Sequence, residues 1–536
     1  MRRIVAALAA VVALVAAPAA LADTTWTKIS RDGLSGTYSP ELAVDGSRIV
    51  AGWRFSDPAN PSTGIDGLEV LSFVASSSAD ALDPQGPTNV TPGSTLTGAW
   101  NFVAPPGGGT QVVFGALFPG DINTYAHVSA RNPDGTFTSP QRISDSATIW
   151  GDPSGALALS DGTLLFASST AGGITIGRGT PTTPGIATGA PNLQNALGGC
   201  CGYEPRIGVT TGGQVWVAWY SNATSNVGLY LQQIDPATGQ PIGNAARAPR
   251  SESVGNNAAP ALACRDTCRV VYRIDALALN QRVNRIVSWS PGEAAPTLIA
   301  TQDDTSGGLE ATAAYRADGR LWVAWHQDGN QALSGSGFRA TLGDGRGAGG
   351  LVQDVGAPPQ TLTSYSLRGL ALGNDLVLAT NVALTDVNRG AAIWVNVVAP
   401  PAAAADVPVT LEVIEEGGKL KIRVQYRVKN TCATPCTARS LIRARNGKRL
   451  KAGVEPLPGD SLLFGRSKGI KLKAAGKKER FDIVVSKAAL NRAKGKVVNR
   501  HKFIETRLRV WLKQPDGSEL LTFRDGRIRV ALTKLA

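Results

Sequence analysis

Three histidines, His127, His326 and His501, are scattered singly along 536 residues. Nucleophilic catalysis needs a base beside its nucleophile, and no Gly-x-Ser-x-Gly elbow occurs in the chain. His127 lies inside the strand-like run YAHVSA and reads as structural, whereas His326 follows Trp325 at a strand end and is the better site candidate. Glycoside cleavage needs two converging carboxylates. Asp121, Asp275 and Asp328 each follow a predicted strand, on loops where aspartates commonly form turns. The six cysteines fall into three local pairs: Cys200 with Cys201, Cys264 with Cys268, and Cys432 with Cys436. Neither C-x3-C pair has the knuckle spacing or nearby histidines of a zinc site, so disulfides are expected and a metal is not. Asp303-Asp304 belongs to no patterned calcium loop. The segment LGDGRGAGG from Leu342 lacks the Lys-Ser/Thr of a phosphate loop. Neither a cofactor nor a catalytic set is expected.

What remains is recognition chemistry. Trp100, Trp150, Tyr220 and His326 combine flat rings with polar neighbours, which suits sugar rings or peptide side chains. A vicinal Cys200–Cys201 disulfide would add a rigid apolar knob. These six are the candidate ligand-binding residues. Trp53, Trp219 and Trp325 recur at one repeat position and are expected to pack between repeats.

The elements that must position these residues are repeated hairpins. A short apolar strand, a tight turn and a second strand recur seven times. The copies are ELAVDGSRIVAGW from Glu41, NFVAPPGGGTQVVFGALF from Asn101, GALALSDGTLLFASS from Gly155, RIGVTTGGQVWVAWY from Arg206, PALACRDTCRVVYRI from Pro260, TAAYRADGRLWVAWH from Thr312 and GLALGNDLVLATNV from Gly369. Their second strands begin near Ile49, Val112, Leu164, Val215, Val270, Leu321 and Leu376, a spacing of 51 to 63 residues. Asp-Gly and Gly-Gly at the turns permit the positive φ that tight hairpins need. Third strands follow, such as GLEVLSFV from Gly67 and VGLYLQQI from Val227, with weaker fourth strands such as TLIAT from Thr297. Four antiparallel strands in each unit of about 50 residues describe a propeller blade. The seventh copy ends after its third strand, AAIWVNVV, and TWTKIS from Thr25 is expected to supply the missing one. In this topology the loops entering the first strand and leaving the second share one face, where the candidate residues fall.

With its seven hairpins, the region 23–399 resembles a secreted bacterial seven-bladed β-propeller, and RNPDGTFTSPQRIS from Arg131 is similar to the Asp-box repeats of sialidases. A complete Ser-x-Asp-x-Gly-x-x-Trp box is absent, and the nearest segment to the arginine-isoleucine-proline strand of sialidases is Glu204-Pro205-Arg206-Ile207. The resemblance implies an all-β ring with its ligand at the channel mouth. A sialidase-like glycosidase or a lyase is the alternative to simple binding.

The ends of the chain differ from the ring. Arg2-Arg3, the apolar run Ile4 to Val15 and Ala20-Leu21-Ala22 read as a signal peptide over residues 1–22. No later run is long enough to span a membrane, so the protein is expected to be secreted, extracellular or associated with the envelope. A Pro/Ala linker at 400–405 leads to 406–536, whose alternating apolar and basic residues resemble an immunoglobulin or fibronectin type III-like β-sandwich. That module holds 31 Lys+Arg against 12 Asp+Glu, while the preceding 405 residues hold 23 against 29. Nucleic acid is not the expected partner, because the basic strands lack interleaved stacking aromatics. The expectation is a monomeric binding or scaffold protein. Its propeller takes a glycan or protein ligand, and its basic module attaches to an anionic cell-envelope polymer.

Overall fold

The computed structural model describes most of residues 26–400, apart from stretches lying chiefly between strands, and the backbone of the strands between 410 and 529. Two compact units emerge: Trp26–Pro401 in one, Ala402–Leu450 and Pro456–Ala536 in the other.

The first unit contains seven antiparallel sheets. Their first strands are Gly36–Asp45, Leu96–Val103, Asp152–Ala158, Gly202–Val209, Ala261–Cys264, Ala311–Tyr315 and Thr361–Leu372, in blades 1 to 7. Each of these strands touches the corresponding strand of the next blade, and that of blade 7 touches that of blade 1. The result is a closed seven-bladed ring with the first strands around its axis, as the hairpin repeat predicts. Closure uses the expected N-terminal strand: Thr27 pairs with Val395 and Lys28 with Trp394, which gives blade 7 its fourth strand. Side chains flanking this pairing hold three blades together. The Trp26 indole donates to the Val355 carbonyl at 3.1 Å and packs between blades 6 and 7. Ile29 packs between blades 7 and 1. Arg31 pairs with Glu69 of blade 1 at 2.6 Å.

Blade-to-blade packing is apolar and regular. Trp53, Trp219 and Trp325 each lie four residues after the aligned repeat positions Ile49, Val215 and Leu321, and each packs against the preceding blade. All three are essentially inaccessible, at 0%, 0% and 1% exposure. The indole of Trp53 donates to Glu69 at 3.1 Å and that of Trp219 to Gln194 at 2.8 Å, whereas the buried Trp325 indole N–H meets no acceptor among the described residues. Gly52 is required in blade 1, since a Cβ there would meet the Trp100 ring of blade 2 at 2.6 Å. In blade 5 the Cys264–Cys268 disulfide closes the hairpin turn, where the two residues are also cross-strand partners.

The second unit has one sheet of three strands, Thr410–Glu416, Lys419–Arg427 and Lys478–Val484. The other sheet has five strands, with Thr437–Arg445 flanked by Ser461–Arg466 and Phe503–Lys513. ELLTFRDG and RIRVAL lie on a single strand, Glu519–Arg529, because the ladder with Phe503–Lys513 carries straight through Asp525-Gly526. Ser461–Arg466 pairs with Thr437–Arg445. Cys432, Cys436 and the linker 401–405 lie outside the described residues, as do the N-terminal 1–25.

Candidate functional site at the ring axis

Apolar packing gives way to charge around the axis. The first strand of blade 1 places Glu41 opposite Gly52, that of blade 4 places Arg206 opposite Ala218, and that of blade 7 places Arg368 opposite Ala379. These are equivalent repeat positions, three residues into the second strand, and the opposite residue is small each time. In the same register blade 6 carries Thr312 opposite Ala324, with Glu310 two residues earlier. Glu204 stands two residues before Arg206 in the same way.

The ring brings these side chains together. Arg206 Nη1 lies 2.6 Å from Glu41 Oε1 and Arg368 Nε lies 2.9 Å from the same oxygen. Blades 1 and 4 are not neighbours in the ring, so the Glu41–Arg206 pair reaches across the axis. Arg368 Nη1 also lies 3.7 Å from Glu310 Oε2, which accepts a hydrogen bond from the Leu367 backbone N–H. All four side chains are mostly buried, with 12 to 15% of each exposed.

The local backbone is shaped to suit. The pairing register of the first strand shifts between Tyr38 and Glu41 in blade 1, between Tyr203 and Arg206 in blade 4, and between Ser364 and Ser366 in blade 7. In blades 1 and 4 the irregularity ends at the charged residue itself and in blade 7 two residues before Arg368; bulges of this kind re-aim side chains. Glu204, inside the blade 4 irregularity, has a φ of 48°, unusual for a residue with a side chain. Backbone strain of this sort collects at functional sites.

Burial also sets the protonation states. Desolvation pushes the Glu310 carboxyl up to about 7, against the opposing pull of the Arg368 charge. Desolvation lowers the Arg206 pKa, with Glu41 acting to raise it. Burial works against the Arg368 cation too, but Glu41 and Glu310 outweigh it and hold its pKa above the ordinary value. Glu204 contributes to the field at Arg206, Arg368 and Glu310. One guanidinium thus faces two carboxylates, Glu41 Oε1 at 2.9 Å and Glu310 Oε2 at 3.7 Å.

Of the residues predicted to bind ligand, the described ones are not part of this cluster. Trp100 is 2% exposed and packs between blades 1 and 2, edge-on to Phe102. Tyr220 packs against blade 5, its hydroxyl donating to the Glu252 carbonyl at 3.2 Å. The His326 ring is buried against Phe338, and its backbone N–H donates to the Glu310 carbonyl. That contact connects His326 to the axis cluster through its main chain. Cys201 is disulfide-bonded and has a φ of 72°. Trp150, Cys200, Asp303, Asp304 and Asp328 lie outside the described residues. Asp121 accepts from the Phe118 backbone N–H and closes its own turn. His127 is buried, with Nδ1 2.9 Å from the Tyr125 carbonyl and its ring stacked on Phe114, and burial lowers its pKa. Among the described residues no three His, Cys, Asp or Glu side chains form a metal-binding group. No helix among them is long and apolar enough to cross a membrane.

Sequence reasoning missed Glu41, Arg206, Glu310 and Arg368. A signal did exist: aligned on the hairpin turn, the copies place Glu41, Arg206, Thr312 and Arg368 in one column of an otherwise apolar repeat.

No family model and no curated protein matches the sequence. Among solved structures, Trypanosoma rangeli sialidase in complex with the inhibitor DANA is similar at 10% identity and a TM-score of 0.36, over 93% of each chain. Penicillium chrysogenum alpha-L-arabinanase complexed with arabinobiose is similar at 13% identity and a TM-score of 0.34, over 69% of this chain and 98% of the other. A protein of unknown function from Dyadobacter fermentans shares 12% identity over 57% of this chain and 94% of its own, with a TM-score of 0.34. The class of protein is defined by the seven sheets themselves: an all-β, seven-bladed propeller.

Proposed function

We propose that the chain is a secreted recognition protein whose propeller takes a glycan at the ring axis, with residues 406–536, folded as a sandwich, attaching to an anionic envelope polymer. The observation that carries the first part is the Glu41–Arg206 pair at 2.6 Å, which joins charged side chains of non-adjacent blades. Charged groups this deeply buried cost desolvation energy that apolar residues of similar size would not. Hydrogen-bonding groups of both signs suit the hydroxyl-rich surface of a sugar. The attachment reading rests on the excess of basic over acidic residues in 406–536, 31 against 12. It predicts that retention of the chain on anionic cell-wall material falls steeply as salt rises, because screening shortens the reach of exposed charges.

A glycan array read with wild type and with Arg206→Met tests the recognition reading. Binding to a defined set of glycans should be lost in the variant. A variant that keeps the same profile would remove the axis from consideration.

Hydrolysis is the second reading, favoured by Glu310. A carboxyl held up to about 7 beside a second carboxylate on the same guanidinium has the features of a proton donor in glycoside cleavage. Release of reducing ends from an array-positive glycan, abolished in Glu310→Gln, would support it. Binding without turnover would leave recognition alone.

A further inference from the structure

We propose that the axis cluster recognises a protonated amine, so that the glycan it takes carries free amino groups of the glucosamine type rather than acidic sugars. The inference rests on the axis being the ligand site. It begins from which charges are already committed. Both guanidiniums, Arg206 and Arg368, meet a single oxygen, Glu41 Oε1, at 2.6 and 2.9 Å. Arg206 Nη1 and Arg368 Nε are spent on Glu41, so a ligand carboxylate reaching their remaining N–H groups would set a second buried anion beside Glu41, which is costly.

The charge count points the opposite way. Facing one another are Glu41 from blade 1, Glu204 and Arg206 from blade 4, Glu310 from blade 6 and Arg368 from blade 7. Within its blade His326 lies beside Glu310, its backbone N–H meeting the Glu310 carbonyl while its ring packs on Phe338. With all three ionised, three carboxylates face two guanidiniums; the proton held on Glu310 supplies the balance, and a ligand cation would take that proton's place. Glu310 is the group placed to receive it. Its contacts with Arg368 and with the Leu367 N–H both fall on Oε2, the first at a loose 3.7 Å, which leaves Oε1 to a ligand.

The protonation state fits this role. Burial keeps a proton on Glu310 through much of the range below about 7. An ammonium docking at Oε1 stabilises the carboxylate, so Glu310 gives up its proton to buffer as the ligand binds. No covalent bond changes. The neutral acid and the ammonium become an ion pair plus one free proton.

Isothermal titration of the full chain at about pH 6.5 tests this, in two buffers of different ionisation enthalpy. The probes are a glucosamine oligomer, an N-acetylglucosamine oligomer of equal length and a galacturonic acid oligomer. The glucosamine oligomer should bind about tenfold or more tightly than its acetylated counterpart, with proton release to buffer. Glu310→Gln should shrink that preference to within about twofold. Proton release by wild type is a readout that needs no variant. Equal affinity for the acetylated oligomer, or galacturonic acid binding that Arg206→Met abolishes, would overturn the amine assignment while leaving the axis as the ligand site. A lysine-rich peptide that competes as well as the glucosamine oligomer would overturn the sugar assignment. If none of the three oligomers binds, the glycan reading fails and this inference fails with it.

Discussion

The faces between blades and the axis of the ring are built from the same repeat but obey opposite rules. Between blades the repeat places Trp53, Trp219 and Trp325 at one position, each almost wholly buried against its neighbour. Around the axis it places Glu41, Arg206 and Arg368 at one position, tied by ion pairs. The tryptophans remove large apolar surfaces from water and stabilise the ring. The axis charges stand in a place where small apolar residues also occur, as Gly155 does in blade 3. Stability alone does not call for such a cluster, since replacing a buried ion pair by apolar residues is often neutral or stabilising. The periphery holds the propeller together, and the axis is where its buried charges gather.

The largest effect should come from the inter-blade face. Trp219→Ala removes a ring that is fully buried, stacked on Tyr230 and bonded to Gln194. It should cost about 3–5 kcal/mol in denaturant unfolding, with the glycan profile of the surviving folded protein unchanged. A folded Trp219→Ala protein with altered specificity would break the division between the two regions.

Next comes the axis. Arg206→Met leaves Glu41 with Arg368 alone, and breaking a buried pair costs about 3 kcal/mol when one charge remains. Pairing it with Glu41→Leu should recover part of that loss without restoring ligand binding. Full recovery of binding in the double variant would contradict a role for the pair in recognition.

Smaller still is the blade 5 staple. Reducing Cys264–Cys268, or replacing both by serine, releases a short closed loop, for which chain entropy suggests about 2 kcal/mol. Thermal unfolding should show a modest drop and ligand titration no change.

The division also explains what could be read from the sequence. The hairpins are local, so turn residues and alternating strands revealed all seven blades. TWTKIS was legible as the closing strand because blade 7 visibly lacked one. The axis cluster was not legible in the same way. Glu41 and Arg206 lie 165 positions apart in the chain and meet only because the ring closes. Aromatic residues drew attention instead, yet Trp100 and Tyr220 sit where the repeat buries large rings. What the sequence did hold was a column of charges at the start of the repeat. Its meaning depends on knowing that this column encircles an axis.

The measurement that tests the axis most directly is the pH dependence of unfolding, wild type against Glu310→Gln. The folded-state pKa of Glu310 is raised to about 7 from its ordinary value of 4.5. A carboxyl shifted upwards favours the folded state while it is protonated. Its contribution is therefore greatest below about pH 4.5 and is lost as pH rises to about 7, after which the difference is constant. Wild type should lose about 3 kcal/mol relative to Glu310→Gln across that window, at roughly 1.4 kcal/mol per unit. Curves that stay parallel from about pH 4.5 to 8 would mean that Glu310 ionises without penalty, and would contradict an axis whose charges are kept at the expense of stability.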